Sequence, residues 1–225
     1  MAADVPRKFG HRGTLRSDTS GRSLAVGQRQ TEPTCTERWL AGFLASTLHT
    51  AELALSLLDW RPATAHDAGA LSLFECTTPP RRGYVRRHES RHELPWEFDV
   101  QSYIREKRHK CSPGQALWVG TDGDSEIAAV FRLEEIDGPA IVLVSVAAVA
   151  LRHRHQGGGV ADEMLRTCLD EITAAGIAAQ LPEVIVVGHI HPENQASQKM
   201  ARRAGAIHVG MLDDYQVWQK ALQLH

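Results

Sequence analysis

Cysteine is scarce and scattered. Cys35, Cys76, Cys111 and Cys168 stand far apart, and no Cys-x-x-Cys pair occurs. That spacing excludes a cysteine zinc module, a thioredoxin-type motif and a disulfide-framed mini-domain, and it suits a reduced, cytoplasmic protein. Long apolar runs are missing as well. No segment approaches the roughly 18 uninterrupted apolar residues of a membrane span, and the N-terminus lacks the apolar stretch of a signal peptide. An excess of one charge is also absent: 25 Lys+Arg face 27 Asp+Glu. A dedicated duplex-DNA binder usually carries a basic surplus, so that class is disfavoured. What remains is a chain of 225 residues, 43% hydrophobic and 23% charged. Those figures fit a soluble globular domain with a sizeable core and an appendage.

The appendage comes first. Residues 1–35 are rich in Gly, Ser, Thr, Gln and Arg without periodicity and read as a mobile tail. From residue 36 to about 65 the pattern predicts a helical segment. Leu40, Leu44, Leu48, Ala51, Leu55 and Leu58 step by three and four, Thr36 is a candidate cap, and Arg61-Pro62 ends the helix. The domain itself is expected over 66–225. Leu71–Cys76 reads as a short strand, and the Arg-rich stretch 81–91 as a solvated loop first, and second as one able to meet an acidic acceptor or RNA phosphate. A helix follows over about 96–109, with Pro95 at its start and Trp96, Val100, Tyr103 and Ile104 on its apolar side.

From residue 115 strands dominate. Ala116–Val119 and Ile127–Leu133 flank an Asp122-Gly123 turn, and Ile141–Leu151 reads as a long, central, buried strand. A helix over 160–175 should stop at Gly176. Strand Val184–Val187, a short helix Asn194–Ala204 and a final hairpin turning at Asp213-Asp214 complete the order. The expected fold class is α/β: a mixed, largely antiparallel sheet flanked by helices, with an N-terminal helical extension.

The informative motif is Gln156-Gly157-Gly158-Gly159-Val160-Ala161, between a strand and an amphipathic helix. Glycines let the backbone turn tightly, and N–H groups at a helix start suit a phosphate. A plain tight turn reads the triplet equally well. A P-loop would need Gly-Lys-Ser/Thr, but Val160 and Ala161 follow Gly159; a dinucleotide fingerprint starting at Gly157 would need Gly where Asp162 stands.

Gln156-x-x-Gly159-x-Ala161 resembles the Q/R-x-x-G-x-G/A signature of the GNAT superfamily of N-acetyltransferases. The surroundings, VSVAAVALRHRHQGGGVADEML and then VIVVGHIHPENQASQKMARRAG, agree with that family over about 115–222. The resemblance implies an acetyl-CoA (or other acyl-CoA) site. Gly157, Gly158, Gly159, Val160 and Ala161 would bind the pyrophosphate with help from Gln156. The strand backbone at about Val149 to Leu151 would meet the pantetheine and the thioester carbonyl, and Asn194 and Ser197 the CoA arm. It implies transfer to an amine by direct attack, with no metal. Departures exist. Ala201 stands where many members carry a Tyr that protonates the thiolate, and Ser145 where a Glu base is common. The Asn194-x-x-Ser197 form is similar to the branch that acetylates ribosomal-protein N-termini. Tyr215 is a distant substitute for the acid.

Twelve histidines include two His-x-His pairs, His153/His155 and His189/His191. His189 or His191 could serve as the missing general base. The two pairs together could instead hold zinc as a metal hydrolase. An amidohydrolase barrel is excluded, because too little chain follows His191 for a fold of about 250 residues. A third reading is a GNAT-like protein that binds acyl-CoA with little catalysis, as sensor or scaffold. Small amines, antibiotics, protein N-termini, lysines and aminoacyl-tRNA are all compatible acceptors. The helix at 37–59 and the final strands could form a homodimer contact.

Overall fold

A hairpin organises the middle of the chain. Strand β2 (Gln115–Thr121) and strand β3 (Ile127–Glu135) pair antiparallel. Their turn is stabilised by Asp122, whose Oδ1 accepts the N–H groups of Asp124 (3.1 Å) and Glu126 (3.0 Å). This is the turn chemistry that Asp-Gly promises. The computed structural model describes residues 56–78, 92–154 and 158–225. The tail, the helical pattern up to residue 55, the Arg-rich stretch 81–91, and His155, Gln156 and Gly157 lie outside the described residues.

Strand β1 (Asp59–Pro62) pairs antiparallel with β2. The predicted helix therefore does not reach residue 59. Leu58 continues the helical spacing but is buried in the core at the entry to β1. Next comes a 3-10 turn (Ala65–Asp67) and a short helix, α1 (Ala68–Leu73). Residues 71–76 are thus not the strand their pattern predicts. Leu71 and Phe74 are buried at a spacing of three, as a helical turn requires, while Leu73 is exposed. The backbone beyond finds its partner in a side chain rather than a strand: Gln101 Oε1 accepts from Cys76 N (2.9 Å) and Thr77 N (3.2 Å).

Helix α2 (Pro95–Lys107) starts at Pro95 as expected. Strand β4 (Ile141–Val149) gives way to a 3-10 turn (Leu151–His153) two residues earlier than the apolar run suggests. Helix α3 (Gly159–Ala178) runs past Gly176. That glycine is a point of close approach, since a Cβ there would lie 2.5 Å from Leu224 Cδ1 and 2.8 Å from Val184 Cγ2. Strand β5 (Glu183–Ile190), helix α4 (Gln195–Arg203), strand β6 (Ile207–Leu212) and strand β7 (Tyr215–Gln223) complete the chain.

The seven strands run in the order β1-β2-β3-β4-β5-β7-β6, and only β4–β5 is parallel. Strand alternation feeds two apolar layers. Trp118, Phe131 and Leu133 pack with Met164, Cys168 and Ile172 of α3. Leu117, Val119 and Val130 pack with Leu71, Phe74 and Ile104 from α1 and α2. With both faces covered, β3 is buried continuously from Ile127 to Leu133. Among the described residues no helix is long and apolar enough to cross a membrane.

Candidate active site

The sheet opens at its centre. β4 and β5 pair over four positions only, from Ile141↔Ile185 to Val144↔Gly188. Beyond that point β4 stays paired with β3 as far as Val149, and β5 with β7 as far as Ile190. The two strands have therefore parted from each other, leaving backbone groups at 145–148 without a partner across the gap. Such groups demand hydrogen bonds. A cavity of about 520 Å³ occupies the gap, between α2 on one side and α4 on the other.

The end of β4 is pinned on its way to the glycine turn. Arg152 and His153 both donate to Asp122 Oδ2 (2.9 Å each), and they hold its carboxyl far below the ordinary range. Arg154 Nη1 donates to both oxygens of Glu97 (2.8 Å each). Helix α3 then begins behind Gly158, whose φ of +84° is a left-handed conformation that glycine adopts without strain. Its first intrahelical bond within reach of the turn is Asp162 N to Gly158 O (3.0 Å). The N–H groups of Gly159, Val160 and Ala161 have no helical acceptor and converge with the positive end of the helix dipole. A cradle of this kind at a helix start suits an anion. Nearby, Asp162 is paired with Arg203 (2.5 Å).

His189, His191, Asn194, Ser197 and Tyr215, all singled out from sequence, line the one cavity. His191 is held by aromatic rings: Trp96 stacks on it (centroids 4.3 Å apart, 15°) and Tyr215 meets it edge-on (5.9 Å, 81°). Its Nδ1 accepts the backbone N–H of Glu193 (3.2 Å). A neutral imidazole whose Nδ1 accepts must carry its proton on Nε2. Asn194 caps α4, its side-chain oxygen accepting from Ser197 N (3.1 Å). The Tyr215 hydroxyl is pushed up by burial, then by Asp99 and Asp214, so it stays protonated at neutral pH.

Val149 and Leu151 are placed otherwise. Val149 is paired with Ala129, and the N–H groups of Ala150 and Leu151 are donated to Ala128 O (2.7 Å) and Glu75 O (2.8 Å). The strand backbone that faces the cavity lies earlier, at Ser145 to Ala147. Ser145 Oγ is buried there without a partner. Ala201 also lines the cavity, at the place of the family's tyrosine. Of the two His-x-His pairs, His153 is turned to Asp122 and His155 lies outside the described residues. No group of three or more metal-ligating side chains is gathered among the described residues.

Sequence reasoning missed the wall that α2 supplies. Trp96 reads as a packing residue, and nothing in the sequence singles out Asp99. Both line the cavity, as does Glu134 from β3. Burial pushes the Asp99 carboxyl up. The signal was available in part, because Asp99 and Trp96 are three apart and so share a helix side.

The model of the acetyltransferase (GNAT) domain matches residues 58–207. No curated protein sequence matches the chain. Among solved structures, the PaiA N-acetyltransferase of Thermoplasma acidophilum, in complex with coenzyme A, superposes with a TM-score of 0.52. It is 13% identical over 73% of this chain and 99% of its own. A GNAT-family acetyltransferase from Staphylococcus aureus Mu50 gives 0.50 at 12% identity, over 74% of this chain and 99% of its own. These structures share the fold. The domain match is the stronger finding, since it takes in both parting strands, the glycine turn and α4, and by it this chain belongs to the GNAT acetyltransferase family.

Proposed function

We propose that the protein transfers an acyl group, acetyl in the simplest case, from acyl-CoA to an amine acceptor by direct attack. The observation that carries this reading is the parting of β4 and β5 over a cavity, with the glycine turn at the end of β4. Acyl-CoA supplies the activated thioester. The chain's residues then orient it and manage protons. The N–H groups at the start of α3 take the pyrophosphate, and unpaired backbone of β4 at 145–147 offers donors to the carbonyl oxygen as charge develops on it. The acceptor nitrogen bonds to the carbonyl carbon, the C–S bond breaks, and its electron pair leaves with sulfur. Much of the acceleration comes from positioning.

Three proton movements complete the transfer. The acceptor ammonium loses one proton before attack, its nitrogen loses a second as the amide forms, and the thiolate gains one, so that one proton passes to solvent overall. His191 presents Nε2–H and so acts as a donor; this leaves His189 to receive the amine's proton. Tyr215, protonated and beside His191, is the second donor. These assignments divide between the two histidines a general-base role that the sequence left open to either. Asp99 on the cavity wall favours a cationic acceptor, whereas Glu134 on the same wall is paired with Arg132 (3.4 Å).

Calorimetric titration with acetyl-CoA and free CoA tests the cosubstrate. Micromolar binding is expected, and Gly159→Trp should abolish it by filling the cradle. A thiol-release assay over a panel of amines then tests transfer. Ala201 favours a second reading, a cosubstrate-binding protein with little catalysis. Tight binding without turnover on any amine would establish that one instead.

A further inference from the structure

The GNAT fold accounts for the turn at Gly159, but not for the carboxylate one helical turn beyond it. Glu163 is buried on α3, and no cation pairs with it among the described residues. Four donors from the segment that enters β1 satisfy it instead. Oε1 accepts from Ser56 Oγ (2.7 Å), Trp60 Nε1 (3.0 Å) and Leu58 N (3.1 Å); Oε2 accepts from Leu57 N (2.8 Å). A buried carboxylate is costly unless it is fully bonded, and charge-assisted bonds are strong. The segment 56–60 is therefore fixed in one geometry against α3. The bonds also hold the Glu163 carboxyl below its ordinary range, against the desolvation that opposes them.

The fixed geometry has a specific product. Leu57 is tied by its backbone, yet its side chain is left 58% exposed. Its Cδ1 stands 3.4 Å from the point where a Cβ on Gly159 would lie. A large apolar side chain is thus held in solvent directly beside the anion-binding turn. Leucine in water gains nothing from being held there, but it gains if a ligand covers it. Coenzyme A carries apolar surface beside its diphosphate, on the face of the adenine ring.

We propose that Leu57 is an apolar wall of the cosubstrate site and that Glu163 is the positioning residue that holds it there. This rests on the acyl-CoA reading above. The cavity recognises the acyl and acceptor ends; Leu57 recognises the nucleotide end and acts on affinity for whole CoA rather than on chemistry.

The test uses the full chain with CoA and, as a probe lacking the nucleotide and its diphosphate, S-acetylpantetheine. Leu57→Ser changes an exposed side chain, so the melting temperature should hold. CoA binding by calorimetry should weaken about five- to tenfold, the loss expected for one covered leucine. The change should appear as a raised KM for acetyl-CoA, with kcat, the acceptor KM and the KM for S-acetylpantetheine held. Glu163→Gln should raise the same KM and lower the melting temperature as well. Equal CoA affinity in wild type and Leu57→Ser overturns the inference alone. A parallel loss toward S-acetylpantetheine also overturns it, because the effect would then be general. No CoA binding by the wild type overturns the functional reading, and this inference with it.

Discussion

Glu171 shows what one buried charge does to a helix. It lies on the inner side of α3, and no cation pairs with it among the described residues. Burial, then the neighbouring Asp170, pushes its carboxyl up to about 7. Unfolded, the same group titrates near 4.3. Below about pH 4 it is neutral in both states and costs little. As pH rises, the unfolded chain ionises first while the folded one holds its proton, so stability falls until the folded carboxyl has ionised too. The melting temperature should therefore drop between about pH 5 and pH 8, and Glu171→Gln should remove much of that drop. The variant gains about 1–3 kcal/mol over wild type near pH 8 and little near pH 4, readable by urea titration at both. Asp67 has the opposite sign. Arg61 grips it with two bonds (2.8 and 2.6 Å) and holds its carboxyl well below the usual range. Its contribution is present at neutral pH and is lost only in strong acid, as the folded carboxyl takes up its proton. Neither role was legible in the sequence. Nothing in the sequence sets Glu163 or Glu171 apart from the other polar residues of the helix, since the donors to Glu163 are more than a hundred residues away. Gly176 read as a helix stop because glycine has two uses, and only the neighbours Val184 and Leu224 decide between them.

At the scale of elements, local chemistry explains what could be read. Asp122-Gly123 fixed the hairpin and Asn194 the start of α4 through bonds made within a few residues, and Pro95 fixed the start of α2 through its preset φ. β1 and α1 were misread because both are short and packing decides them. Leu58 sits in phase with the preceding leucines, yet it enters a strand held to β2. The cap on α4 carries a prediction that separates two roles of Asn194. Asn194→Ala should lose about 1 kcal/mol of stability and weaken acyl-CoA binding. Asn194→Asp keeps the capping oxygen, so stability should return. If CoA binding returns with it, the residue acts through the helix start. If binding stays weak, the Asn side chain contacts the cosubstrate itself, and denaturation with calorimetry on both variants distinguishes the two.

The whole molecule ends its sheet on an apolar edge. β6 is the outer strand, and Ile207, Val209, Met211 and Leu212 are all exposed, Ile207 by 65%. A free apolar edge is a template for pairing with another chain. Replacing Ile207 and Met211 together by Lys should lower concentration-dependent light scattering while leaving the far-ultraviolet circular dichroism unchanged. At this scale the order of elements from residue 115 and the mixed, largely antiparallel sheet followed from the sequence; the lateral order of the strands and the gathering of His189, His191, Asn194 and Ser197 on one cavity did not. The α2 wall with Trp96 and Asp99 did not, because it depends on how a helix outside the motif lies over the gap.

The short seam between β4 and β5 has a mechanical meaning. The sheet is two plates, one of four strands and one of three, riveted along four residue pairs. A rivet line that ends partway across a joint makes a lever. Small rotations at the seam are magnified at the free rims, where Ser145 to Ala147 face His189 and Ile190. A sheet so built should yield first where the cavity opens and hold stiff along β3, buried on both sides. A ligand bridging the rims would act as a clamp on that lever, and the enzyme would be stiffest when loaded.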